Sequence, residues 1–133
     1  GNDEYKNKIN ELLEKYGLLE KAVFTGFTDP VEILSISDLM VLPSENEGFG
    51  IVCIEAFAMK VPVIRTTTAG YSDMKEYCIG VNYGDVRGLS NEITNIFTDV
   101  EYKNLLVEKA FNFFNEEFTS DKMAQKILKI YNE

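Results

Sequence analysis

From Leu39 to Arg65 the chain reads LMVLPSENEGFGIVCIEAFAMKVPVIR, and the order of apolar and polar residues in it admits few folds. Leu39 to Leu42 is a short apolar run closed by Pro43, as in a strand covered on both faces. Ser44 to Gly50 is a polar loop that ends in Gly48-Phe49-Gly50. Ile51 to Met59 is apolar on almost every side, which marks a buried helix. Val61 to Ile64 reads as the next strand, with Pro62 at a position where no N–H is needed. Strands alternating with helices predict an α/β chain with a mostly parallel sheet.

Glu47 and Glu55 interrupt this pattern, one just before the helix and one inside it, about two helical turns apart. A carboxylate on a buried helix is costly unless something polar meets it. Glycines on both sides of Phe49 let backbone N–H groups come close to a ligand, and the free N–H groups of a helix start favour an anion. Two carboxylates beside such a cradle suit a ligand that carries both hydroxyls and phosphate, because a carboxylate can accept from two neighbouring hydroxyls. A nucleotide sugar is a ligand of that kind. The residues alone leave a simpler account open as well, with Glu47 held by the helix dipole and Glu55 paired with a base or on a wet side of its helix.

Pro43-Ser44-x-x-Glu47-Gly48-Phe49-Gly50, Glu55-Ala56-Phe57-Ala58 and Pro62-Val63-Ile64 together resemble the signature of the retaining GT-B glycosyltransferases, glycosyltransferase family 4. Val23-Phe24-x-Gly26, Asp38-Leu39, Gly70 and Gly84-Asp85 leading to Leu89 fall in order around them, so the resemblance spans nearly the whole chain. It implies the C-terminal, donor-binding half of such an enzyme: α/β, Rossmann-like and doubly wound, with the ligand crevice at the carboxyl ends of the strands. It implies a parent enzyme of polysaccharide biosynthesis. That enzyme would move a sugar from a nucleotide-sugar donor to a glycan or lipid-linked glycan, with retention and with no cofactor or metal. By resemblance Glu47 is the catalytic-site residue, holding sugar hydroxyls near the reacting carbon. Ser44, Gly48, Phe49 and Gly50 would meet the sugar or diphosphate, Glu55 the ribose hydroxyls, and Gly26 with Phe27 the nucleobase. A sugar-nucleotide epimerase or phosphorylase of the same architecture, and a non-catalytic α/β interaction domain, are the alternatives. The chain departs from the pattern at Lys60, where the family has Gly, and at Asp73, where Glu is usual. Lys60 is expected to adopt the left-handed conformation that the helix end requires; the alternative is a different turn that points Lys60 toward the site, where it would partly replace a missing cation.

Net charge bounds the partners. Thirteen basic and 22 acidic residues give −9, which argues against nucleic acid and against an anionic membrane surface. The absence of histidine excludes a Ser-His-Asp or Cys-His centre and a His-ligated metal within these residues. Cys53 and Cys78 lack metal spacing, and Cys53 reads as a core thiol. With no signal peptide and no run of about 20 apolar residues the chain reads as cytoplasmic, its parent enzyme peripheral to the membrane through its other half.

Between Ala22 and Gly84 only Lys60, Arg65 and Lys75 are basic, against eight acidic residues. A diphosphate site needs cations. In the resembled family an Arg and Lys pair after the first strand supplies them, and this chain matches from further on, with Gly1-Asn2-Asp3 at the loop after the second strand. Residues 1–133 are therefore expected to be a single partial domain, lacking its first strands and the acceptor domain, inactive alone and self-associating through an exposed sheet edge.

The remaining elements follow from periodicity and caps. A helix over Tyr5 to Tyr16 stops at Gly17. Ala22 to Thr25 reads as a strand, and Asp29-Pro30 opens a short helix. Thr66 to Asp73 reads as a polar loop and Ile79 to Tyr83 as the last of four strands. Asp85 caps a helix with apolar positions Leu89, Ile93, Ile96 and Phe97. Leu106, Ala110, Phe113 and Phe114 mark the next helix, and Met123, Ile127, Ile130 and Tyr131 the last. All these stripes are expected to be core.

Overall fold

The computed structural model describes residues 3–131; Gly1 and Asn2, which begin the expected match to the second-strand loop, lie outside the described residues. Three strands, β1 (Met40–Leu42), β2 (Val63–Thr66) and β3 (Ile79–Val81), form a parallel sheet in the order β1-β2-β3. Leu42 pairs with Arg65, and Arg65 with Gly80. Six α-helices accompany the sheet: α1 (Asp3–Lys15), α2 (Pro30–Leu34), α3 (Ile51–Ala58), α4 (Val86–Thr98), α5 (Val100–Glu117) and α6 (Ser120–Tyr131). Single 3-10 turns lie at Leu19–Lys21 and Tyr71–Asp73.

β2 is central and buried at every position, and side chains on a strand alternate between its faces. Val63 joins the core formed with Cys53, Ile54, Phe57, Met74 and Ala110, while Ile64 joins Ile79, Val81, Ile96 and Leu106 on the other face. Accordingly α3 packs on one side of the sheet, α4 on the other, and α5 against both helices. The strand starts two residues later than its apolar run predicts and takes in Arg65 and Thr66, both buried. The loop expected from Thr66 therefore begins at Thr67.

The helix ends follow the sequence. Asp29 Oδ1 accepts from the Val31 N–H, and Asp85 Oδ1 accepts from the Gly88 N–H. At the end of α1, Gly17 is left-handed, and its N–H and that of Leu18 donate to Glu14 O and Leu13 O. The end of α3 has the same form with a residue poorly suited to it. Lys60 sits at φ 58, its N–H donates to Phe57 O, and the Val61 N–H donates to Ala56 O, which together make a Schellman motif. The Lys60 ammonium lies 4.5 Å from the centre of the Phe111 ring on α5.

Two sets of expectations need correction. Ala22 to Thr25 is no strand: Ala22 is extended, but the segment pairs with no strand among the described residues and Val23 stays 85% exposed. A strand is defined by its ladder, so local β-preference leaves only an extended chain when no partner lies alongside. The apolar stripes at the two ends are not core either, and the α4 stripe is core at Ile96, with Leu89 and Ile93 packed against it, but not at Phe97. Tyr5, Leu12 and Tyr16 on and after α1, Phe97 on α4, and Met123, Ile127, Ile130 and Tyr131 on α6 are all exposed. These faces have the right period, but α6 packs chiefly on α5, and α1 chiefly against the turn that follows it, with Lys6 over the Phe24 ring. Among the described residues no helix is long and apolar enough to cross a membrane.

The strained position yields a prediction. A left-handed non-glycine residue costs about 1–2 kcal/mol, and an exposed cation–π contact returns roughly 0.5–1 kcal/mol. Lys60→Gly should therefore raise the unfolding free energy by up to about 1 kcal/mol in urea. A clear loss of stability would mean that the Phe111 contact outweighs the strain.

Candidate functional site

The carboxyl ends of the three strands open into three loops, and residues on and just after β2 tie those loops together. Thr66 Oγ1 donates to Ser44 O at 2.6 Å, which fixes the start of the first loop. Thr67 N–H donates to Val81 O, and Thr67 Oγ1 to Asn82 Oδ1, which fix the third. A cavity of about 230 Å³ lies along this edge, between Pro43, Thr66 and the Asn82–Asp85 turn.

Arg65 is the strongest tie, and sequence reasoning did not single it out. Its side chain is 1% exposed and lies under the first two loops. One guanidinium nitrogen donates to Phe49 O at 2.9 Å and to the Met74 sulfur at 3.2 Å; the other donates to Ala69 O at 3.1 Å. The signal was present in the sequence, as a lone cation closing an otherwise apolar strand in an acidic segment. Two glycines let the loops close over it. A Cβ on Gly50 would come 2.9 Å from Arg65 Nη1. A Cβ on Gly70 would come 2.3 Å from Gly48 O and 2.8 Å from Phe49 Cα, so the second loop rests directly on the first. Both glycines are left-handed.

The ring of Phe49 supplies a further anchor. It leans on Phe118 at the end of α5, with ring centres 5.9 Å apart, and Phe118 in turn meets Phe113, which stacks on Tyr77. Phe118 was likewise not anticipated.

The expected site residues fall into three groups. Glu47, Gly48, Phe49 and Gly50 form the turn over Arg65. Glu47 is half-buried, and its Oε1 accepts from the Gly48 N–H at 3.0 Å. Gly50 starts α3, and its carbonyl accepts from Cys53. Burial pushes the Cys53 thiol above its usual range while Arg65 pulls it down and Glu47 pushes it up, so all three lie within electrostatic reach. Burial likewise pushes Cys78 up to about 12. Ser44 contributes its backbone carbonyl to the stitch with Thr66. Glu55 lies on the side of α3 away from the core, half-buried, in line with exposed Ile51 and between buried Ile54 and Ala56. Gly26 and Phe27 are exposed on the segment leading into α2, which packs on α3. Asp73 is exposed in the 3-10 turn after Gly70.

Neither the cavity along the strand edge nor a second one is lined by Glu47 or Glu55. The second, about 320 Å³, lies beyond β3 among Tyr71, Lys75, Tyr102 and Lys109. Among the described residues no group of three or more His, Cys, Asp or Glu side chains could hold a metal ion.

The family model for glycosyl transferases group 1 matches residues 1–113. The chain is 32% identical over 130 residues to N-acetyl-alpha-D-glucosaminyl L-malate synthase of Bacillus anthracis, covering 92% of this chain and 33% of that protein. It is 29% identical to the O-antigen biosynthesis glycosyltransferase WclY of Escherichia coli, covering 99% of this chain and 37% of that protein. It thus spans about a third of the length of these relatives. Among solved structures, Anabaena Alr3699/HepE in complex with UDP superposes with a TM-score of 0.88 at 20% identity, over 98% of this chain and 37% of that one. Sucrose-phosphate synthase from Thermosynechococcus elongatus gives 0.82 at 26% identity, over 96% of this chain and 34% of that one. The α/β fold with its parallel sheet is that of these GT-B glycosyltransferase structures.

The packing of the two loops can be tested by comparing two glycines. Gly70→Ala adds a Cβ against backbone atoms at a left-handed position and should destabilise by on the order of 3 kcal/mol. Gly84→Ala, also left-handed but facing open space, should lose only about 1 kcal/mol. Equal losses in denaturant titrations would show that the loops do not press on each other.

Proposed function

This chain belongs to the glycosyl transferases group 1 family, and from that premise we propose that it is the donor-binding domain of a retaining glycosyltransferase of family 4. The whole enzyme moves a sugar from a nucleotide-sugar donor to a glycan or lipid-linked glycan, without a bound metal, the acceptor being held by a second domain. The observation that carries this reading is the Glu47–Gly50 turn: it ends at the start of α3, on the carboxyl edge of a parallel sheet, with Glu55 on the open side of the same helix. In open α/β sheets ligands bind at that edge. The UDP in the HepE complex supports a nucleotide donor.

In this proposal Glu47 holds sugar hydroxyls near the reacting carbon, and Gly48, Phe49 and Gly50 meet the sugar and diphosphate. Ser44 shapes the entry to the turn. Glu55 holds the ribose hydroxyls, and the Gly26-Phe27 segment lies against the base. A donor leaving group of two phosphates is stabilised by positioned N–H groups more than by any proton transfer. The outer edges of β1 and β3 pair with no strand among the described residues, so the isolated chain self-associates there.

The test is a thermal-shift panel of UDP, GDP and ADP sugars against the full-length protein, followed by two variants. Glu55→Gln should weaken every donor that binds by roughly ten- to a hundredfold, the value of hydrogen bonds to a charged group. Glu47→Gln should lower turnover more than donor affinity. A Glu55 effect confined to one sugar would contradict the ribose role, and no stabilisation by any nucleotide sugar would contradict the function.

A further inference from the structure

The chemistry of a diphosphate site calls for positive charge, and the turn at Glu47–Gly50 has no exposed cation of its own. The nearest is Arg65, buried beneath it. Arg65 forms no ion pair among the described residues, and its partners are two carbonyls and a thioether. A buried charge without a counter-charge is unfavourable. The same segment also holds both unpartnered buried side-chain polar atoms found among the described residues, Arg65 Nε and Thr68 Oγ1. Buried polar groups without partners are uncommon, and each calls for a physical explanation.

The geometry of the two carbonyls shows what Arg65 does to the loops. In a planar trans peptide the C=O and the following N–H point in opposite directions, and no peptide here is cis. Because Phe49 O and Ala69 O both turn down to the guanidinium, the N–H groups of Gly50 and Gly70 both turn away from it. Neither meets an acceptor among the described residues. A cation on the carbonyl side polarises each peptide and strengthens its N–H as a donor.

We propose that Arg65 is a positioning residue for the donor diphosphate: it never touches the ligand, but orients the Gly50 and Gly70 N–H groups toward phosphate oxygens and passes its charge through those two peptides. This rests on the nucleotide-sugar reading above. Arg65 thereby supplies, from below, positive charge that the Glu47–Gly50 turn itself lacks. A lysine in its place could carry the charge but could not fork between two carbonyls.

Calorimetry on the full-length protein with UDP, GDP and ADP, each beside its nucleoside, tests this. Arg65→Gln should weaken the diphosphate that binds by on the order of tenfold and leave the matching nucleoside unchanged, with Arg65→Lys in between. Equal loss for nucleoside and diphosphate, or no loss for either, would overturn the proposal. Should Arg65→Gln fail to fold, amide NMR of the unaltered protein gives the answer. Adding the diphosphate should shift the Gly50 and Gly70 amide signals more than that of Gly84. Binding that leaves those two signals in place refutes the role of Arg65 alone, whereas no binding of any diphosphate refutes the site itself.

Discussion

A single guanidinium under two loops sets the shape of this edge of the molecule. Arg65 is on the central strand, level with Leu42 on one side and Gly80 on the other. Alternation along the strand sends its side chain to the same face as Val63, beneath the start of α3. There it holds the carbonyls of Phe49 and Ala69. A charge so placed has few ways to be satisfied, so the loops above it have few arrangements open to them. Conformational specificity of this kind is one reason a fold retains a costly buried ion.

The other restraints reinforce the first. Gly70 lets the second loop lie on the backbone of Gly48 and Phe49, and the Phe49 ring reaches Phe118 at the far end of α5. Thr66 draws in Ser44 from the loop after β1. The turn is thus tied to the central strand, to a neighbouring loop and to a distant helix. On the proposed function this rigidity has a use, because donors that need no rearrangement stabilise developing charge most effectively. The left-handed Lys60 at the other end of α3 is a local strain that the Schellman bonds and the Phe111 contact tolerate.

Much of this was legible in the sequence. The 27 residues from Leu39 to Arg65 give strand, loop, helix and strand in order, because both the apolar runs and the glycine turn are local signals. Gly17, Asp29 and Asp85 mark helix ends for the same reason, and Lys60 takes the left-handed form that its position demands. What failed was non-local. Ala22 to Thr25 has the composition of a strand but no neighbour to pair with, and the stripes of α1 and α6 have the period of core helices but little to pack on. The Asp99 and Thr119 caps of α5 and α6 passed unnoticed between longer apolar patterns. Arg65 and Phe118 were visible as residues, yet their role depends on what folds over them, and no spacing rule conveys that. For Glu47 and Glu55 the residues alone left the roles open and the family resemblance proposes them; the structure sets Glu47 on the turn before α3 and Glu55 midway along that helix, on its open side.

The most direct measurement is a crystal structure of the full-length protein soaked with the nucleoside diphosphate that stabilises it. The account predicts phosphate oxygens against the Gly50 N–H, ribose hydroxyls on the Glu55 carboxylate, and Arg65 still covered beneath the turn. Density for the nucleotide elsewhere, such as in the cavity beyond β3 near Tyr71, Lys75 and Lys109, with the Glu47–Gly50 turn bare, would contradict it.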